Sequence, residues 1–253
     1  MRVIVVAVVC LMWAFPVFGG GLLVVTEEMV PYNFRQDGQV VGLSTELVRR
    51  TLEKSGLEGR FQVMPWARAY YIARNDPNVL IYTIVRTEER EKLFKWIGPV
   101  APAVDEKMYC LRSRPDVVVR TLDDARNYKV AVVRDGVGHR FLEEQGFSLG
   151  INLDLSPNED QMFAKLFWGR VDIVISDDLN NAWKLPAIDR NARELQPLIT
   201  LRNHKLYMAC GPATPDETVD RLRKGLAAVS AEEKRRILQK YRHPAWACDP
   251  LPY

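Results

Sequence analysis

The chain has 253 residues, 47% of them apolar and 26% charged, with a net charge of +3. That length suits one large domain or two small ones, and the balance is ordinary for a globular protein. The charge is spread out with no basic block, so nucleic acid is not an expected partner.

Residues 1–20 differ from the rest. Arg2 is followed by an apolar run from Val3 to Phe15, a break at Pro16 and the small residues Gly19 to Gly21. This is the three-part pattern of a secretory signal peptide. The run is short for a membrane span, which needs about 20 residues. Export is therefore expected, with cleavage near Gly19 to Gly21. Cys10 would leave with the signal, and Cys110, Cys210 and Cys248 would remain where disulfides form. The sequence has no C-x-x-C, and His139, His204 and His243 lie far apart, so no metal or cofactor is expected.

In chain order, 22–28 reads as a strand ending in acid, and 30–42 as a Pro start with an Asp37-Gly38 turn. Residues 43–56 read as an amphipathic helix with Leu43, Leu47, Val48 and Leu52 on one face. Ser44 or Thr45 would cap it and Gly56 would stop it. A strand at 61–66, a helix at 67–75 and an apolar strand at 79–85 follow, as in a parallel sheet covered on both faces. A second unit repeats the pattern: strands at 107–113, 129–138, 151–156 and 171–176, with helices at 121–127, 139–146 and 158–170 between them. A strand at 206–210 precedes helices at 214–230 and 231–242, the first with Thr214 as cap and Pro215 at its first position.

Ligands in open parallel sheets bind beyond the carboxyl ends of strands. Charge sits at such ends here: Thr26-Glu27-Glu28, Arg86-Thr87 and Asp177-Asp178. Two lobes facing through these ends would enclose a cleft of both signs, suited to a small zwitterion. Arg86 and Arg90 are groups that hold anions, but Glu88, Glu89 and Glu91 could equally pair with them on a solvated turn. Asp177 could be a ligand contact or a helix N-cap. Trp66 and Arg68, at a strand end, are cleft candidates.

The stretches VTEEMVPYNF, VGLSTELVRRTLEKSG, TIVRTEEREKLFKWIGPV, VAVVRDGVG, WGRVDIVISD and CGPATPDETVDRL, in that order, resemble bacterial extracellular solute-binding proteins of family 3 over about residues 22–243. The resemblance implies a two-lobe type II periplasmic-binding-protein fold, with parallel-sheet α/β lobes and a ligand cleft between them. Lobe 1 would hold 21–106 and 207–253, and lobe 2 would hold 107–206. KMYCLR and KLYMAC would be the hinge strands. The implied function is capture of an amino acid or related zwitterion by a monomeric, non-catalytic receptor that delivers it to an ABC-type permease. An enzyme on the same scaffold, like cyclohexadienyl dehydratase, or a sensing subunit are the alternatives. The resemblance assigns the ligand carboxylate to Arg90, its ammonium to Asp177, and further contacts to Thr83 and the turn at Gly136 to Gly138. Glu27 and Tyr32 fall where side-chain-reading and stacking groups lie. Val85, Arg86 and the segment Pro65 to Arg68 depart from the family pattern, which leaves room for a larger or more anionic ligand. A Cys210–Cys248 disulfide is expected, with Cys110–Cys210 as the rival pair.

Overall fold

A computed structural model describes residues 21–242. The expected signal segment and Cys248 therefore lie outside the described residues. The first part of the chain gives β1 (Leu22–Thr26), the small hairpin β2 (Phe34–Gln36) and β3 (Gln39–Val41), α1 (Leu43–Ser55), β4 (Gly59–Val63), α2 (Trp66–Asn75), β5 (Val79–Val85), the single turn α3 (Glu88–Glu91) and β6 (Lys95–Pro99). Then come β7 (Val104–Leu111), β8 (Val130–Val133), α4 (Val137–Glu144), β9 (Leu153–Ser156), α5 (Glu159–Phe167), β10 (Ile173–Ser176), α6 (Asp178–Lys184) and β11 (Leu195–His204). The chain closes with β12 (Leu206–Cys210), α7 (Asp216–Ala228) and α8 (Ala231–Lys240).

These strands form two five-stranded sheets, ordered β4-β1-β5-β12-β6 and β11-β7-β10-β8-β9. Each sheet is the centre of one lobe. The sheets are mixed, not parallel throughout. β1 runs parallel to β4 and β5, but β12 runs antiparallel to both β5 and β6. In the second sheet β8 is parallel to β9 and β10, whereas β7 is antiparallel to β10 and β11. The antiparallel strands are those next to the points where the chain changes sheet. Periodicity identifies a buried strand but says nothing of its direction.

The chain changes sheet between Pro99 and Val104, and again at Lys205. The expected boundaries at 106/107 and 206/207 therefore fall a few residues late at the first crossing and about one at the second. Of the expected hinge strands, β7 lies wholly in the second sheet and β12 wholly in the first, and the chain passes between the sheets just before each of them. Strands β6 and β11 were not expected from the sequence; β6 is short, and β11 is half-exposed along much of its length.

Local chemistry accounts for the helices that frame the site. In α1 the face formed by Leu43, Leu47, Val48 and Leu52 is buried, and Gly56 ends the helix at φ 61, in the left-handed region. Gly42 occupies the cap position, so Ser44 and Thr45 lie inside the first turn, not at the cap as expected. Thr45 Oγ1 instead lies 2.9 Å from the Tyr82 hydroxyl. Helix α7 packs on α1 at Gly225, where a Cβ would fall 2.0 Å from Ser55 Oγ and 2.5 Å from the Thr51 carbonyl. Pro215, not Thr214, stands at the cap position of α7.

Cys110 and Cys210 are free and fully buried, one in the core of each lobe. Burial pushes the Cys210 thiol up to about 12. Cys110 and Cys210 are not bridged to each other, and Cys248, the expected partner of Cys210, lies outside the described residues.

Candidate ligand-binding site

Strand β5 is buried along its whole length and ends at the boundary between the lobes. Its pairing with β12 skips one residue: Met208 faces Tyr82 and Tyr207 faces Ile84. The residue left out is Thr83, bulged at φ 62. A β-branched residue in the left-handed region is strained, by about 1–3 kcal/mol. Its hydroxyl is buried without a hydrogen-bond partner, and the residue lines the interlobe cavity.

Two residues beyond β5, Thr87 caps α3 by accepting from the Arg90 N–H at 3.3 Å. The turn directs the Arg90 side chain inward. It is 4% exposed, donates from Nη1 to the Val85 carbonyl at 3.2 Å, and lies 5.4 and 5.2 Å from the rings of Trp66 and Tyr70. Among the described residues no carboxylate forms an ion pair with it. Burial lowers its pKa, against the opposing pull of Tyr70 and Glu89. A buried guanidinium held by aromatic rings, with donors to spare, is a site for an anionic group.

Arg86 behaves differently. It is exposed and makes two hydrogen bonds to Glu91, at 2.7 and 2.5 Å. Arg68 is also exposed and does not line the cavity. The structure thus brings neither into the cavity, and Arg86 forms the ion pair on a solvated turn that its neighbouring acids also allowed.

The second lobe contributes carboxylates and helix starts. Asp177 follows β10 and caps α6: its Oδ1 accepts from the Asn180 N–H at 2.9 Å and from the Tyr32 hydroxyl at 3.2 Å. So Asp177 is a cap and a cavity-lining acid at once. Burial pushes its pKa up to about 6. Tyr32 is buried, does not line the cavity, and joins the lobes through its hydroxyl on Asp177. Gly136 stands at the start of α4 and lines the cavity; a Cβ there would lie 3.0 Å from the Val133 carbonyl.

Glu159, the first residue of α5, also lines the cavity, although nothing in its sequence neighbourhood distinguishes it from any first-turn acid. Its Oε2 accepts from Asn180 Nδ2 at 3.0 Å, and the same amide donates to the Val30 carbonyl of the first lobe at 2.9 Å. Burial raises Glu159 to about 7. Across from it Glu27, just after β1, is raised to about 8 by burial and by Glu159, with Arg90 opposing. His204 lines the cavity with an unpartnered Nδ1, and burial lowers its pKa. Glu106 is neutralised by Arg202, whose Nε lies 2.8 Å away.

The lobes are drawn together by Tyr32–Asp177, Asn180–Val30 and the Trp66 Nε1 bond to the Asp135 carbonyl at 2.8 Å. They enclose a cavity of about 110 Å³. Glu27, Trp66 and Glu159 also line an adjoining recess of about 260 Å³.

Two mixed α/β sheets forming two lobes around a polar cavity define a two-lobe solute-binding protein. The chain belongs to the bacterial extracellular solute-binding proteins, family 3, whose model matches residues 22–244. No curated protein sequence matches it. Solved structures of the same fold include a histidine kinase sensor domain similar to periplasmic binding proteins, at TM-score 0.78 and 23% identity, covering 87% of this chain and 95% of that one. An ancestral arginine-binding protein bound to arginine aligns at TM-score 0.76 and 18% identity, covering 88% and 98%. ArtJ from Geobacillus stearothermophilus, which binds arginine, lysine and histidine, aligns at TM-score 0.76 and 17% identity, covering 90% and 98%.

Proposed function

We propose that the protein is a periplasmic receptor that captures a basic amino acid and delivers it to an ABC-type permease. The observation that carries this reading is the charge of one enclosed cavity. Arg90 offers donors to an α-carboxylate, and Asp177 offers an acceptor to an α-ammonium. Glu27 and Glu159 add two more carboxylates without an ion-pair partner among the described residues. Buried charges need partners. A simple zwitterion brings one of each sign and leaves the surplus acids unmatched. A ligand with a second cationic group matches them better.

Size points the same way. A cavity of 150 Å³ holds a molecule of about benzene size, so about 110 Å³ suits the amino-acid end of a ligand. The recess past Glu27 and Glu159 provides room for a longer side chain. The arginine-bound relatives agree with this choice. The likeness to a kinase sensor domain favours a second reading, a ligand-sensing subunit that uses the same cavity.

The test is a thermal-shift panel of amino acids, opines, polyamines, dicarboxylates and prephenate on protein stripped of ligand by unfolding and refolding. Ligand at about 100 times Kd stabilises by roughly 2.7 kcal/mol, which is about 5–10 °C in Tm for a chain of this size. Shifts are expected with L-arginine or L-lysine and are lost in Arg90→Ala. Turnover of prephenate, or a shift only with ligands lacking a carboxylate, would overturn the proposal.

A further inference from the structure

Three acids and one guanidinium share the cavity, and the acids come from separate segments: Glu27 after β1, Glu159 at the start of α5, and Asp177 before α6. Neither Glu27 nor Glu159 has an ion-pair partner among the described residues, because the neighbouring cations are committed elsewhere. Lys184 pairs with Asp160, and Arg35 donates to the Val63 carbonyl at 2.6 Å. Arg90 donates to the Val85 carbonyl and forms no ion pair with either acid, which leaves its remaining donors for the ligand carboxylate. A second observation points to a ligand in the same space: Thr83, 5% exposed, lines the cavity with a hydroxyl that has no partner.

We infer that Glu159, set across the lobe boundary from Glu27, is a proton-exchange subsite: a proton held by the two carboxyls stands where the second cationic group of the ligand goes, and binding releases that proton to solvent. The inference rests on the proposed basic amino-acid ligand. No bond other than the O–H of a carboxylic acid breaks, and the buffer takes up the proton.

The position of Glu159 gives it this role. It lines both the cavity and the recess, so a cation passing from one to the other meets it. The amide that donates to it also donates to Val30 of the first lobe, so its charge is linked to the lobe contact. Asp177 and Asp160 oppose its ionisation, and Lys184 and the Asn180 amide favour it. Asp178 is taken by Lys107 and Tyr109. On the other side of the cavity His204 is kept neutral by burial and supplies no counter-charge. Burial raises both carboxyls, Glu27 to about 8 and Glu159 to about 7.

The probe is L-arginine, titrated calorimetrically in buffers of low and high ionisation enthalpy. Near neutral pH, about one proton per arginine is expected to be released. Affinity is expected to rise about tenfold per pH unit on the acid side of about pH 7 and to level off above about pH 8. Glu159→Gln is expected to bind more weakly, with no proton release and a flattened pH profile, and Glu27→Gln provides a second variant should the first fold poorly. Buffer-independent heats with tight arginine binding, or full proton release in Glu159→Gln, would overturn the inference. So would a carbon-detected NMR titration of the ligand-free protein in which both carboxyls titrate near 4. Failure of arginine, lysine and histidine to bind at any pH, with the carboxyls titrating near neutrality, would instead overturn the functional reading and remove the ligand from this scheme.

Discussion

The two lobes contribute to the cavity by different physical means. The first lobe holds its contribution as strain and unpaired charge: Thr83 bulged at φ 62, and Arg90 buried without an ion pair among the described residues. The second holds titratable acids at helix starts, Asp177 capping α6 and Glu159 opening α5. A strained backbone and a guanidinium are indifferent to pH near neutrality, whereas buried carboxylates are not. The first lobe, apart from Glu27, should thus fix where the ligand sits, and the second, with two of the three raised carboxyls, should weigh more in the conditions under which the lobes close on it.

Substitutions on each side can break this division. Arg90→Ala should have the largest effect, weakening L-arginine binding by about 3–4 kcal/mol, or several hundredfold by calorimetry. Its urea midpoint should not fall, because the substitution also removes an unpaired buried charge. Asp177→Asn should cost about 1.5–3 kcal/mol of binding, the range for a hydrogen bond to a charged group, measured in the same titration.

Stability against pH sharpens the contrast. Asp177, Glu159 and Glu27 have folded pKa values of about 6, about 7 and about 8, all above their values of roughly 4 in an unfolded chain. The stability they contribute is full below about pH 4 and is lost as pH rises through 6 to 8. Ligand-free protein should therefore lose Tm between about pH 4 and pH 8, most steeply below about pH 6 where all three groups contribute, and Asp177→Asn should flatten the lower part of that decline. A Tm constant across this range would mean that burial does not raise these three carboxyls in the folded protein.

Smaller effects test the first lobe. Thr83→Gly releases strain of about 1–3 kcal/mol and gives back about 0.5–1 for the freer unfolded chain. It should raise stability by roughly 1 kcal/mol in urea titration while weakening ligand binding. Tyr32→Phe removes one interlobe hydrogen bond, worth about 0.5–1.5 kcal/mol. It should show as a modest drop in affinity with little change in unfolding of either lobe. A large loss of stability would mean that Tyr32 packs the core more than it clasps the lobes.

Much of this arrangement was legible in the sequence. The alternation of helix and strand patterns indicated two α/β lobes, and burst and turn residues marked Arg90, Thr83, Asp177 and Gly136 as residues that do line the cavity. Arg86 and Arg90 sit in one short turn of similar composition, and only the fold decides which points inward. Glu159 looks like any acid favouring a helix N-terminus, and its place in the cavity depends on how α5 meets β1 across the lobes. Tyr32 is found near the site, but its hydroxyl reaches Asp177, 145 residues away in the chain, a pairing that no local pattern encodes.

The order β4-β1-β5-β12-β6 places the last strand of the chain between two strands synthesised about a hundred residues earlier. The second lobe is contiguous, running from β7 to β11, and holds all its strands as soon as β11 has emerged. The first lobe cannot join β6 to the rest of its sheet until β12 arrives, so its assembly waits on the completion of its neighbour. A chain growing from its N-terminus would therefore finish its lobes in the reverse of their order of appearance, and β5 and β6 would present unpaired edges to solvent and chaperones in the interval.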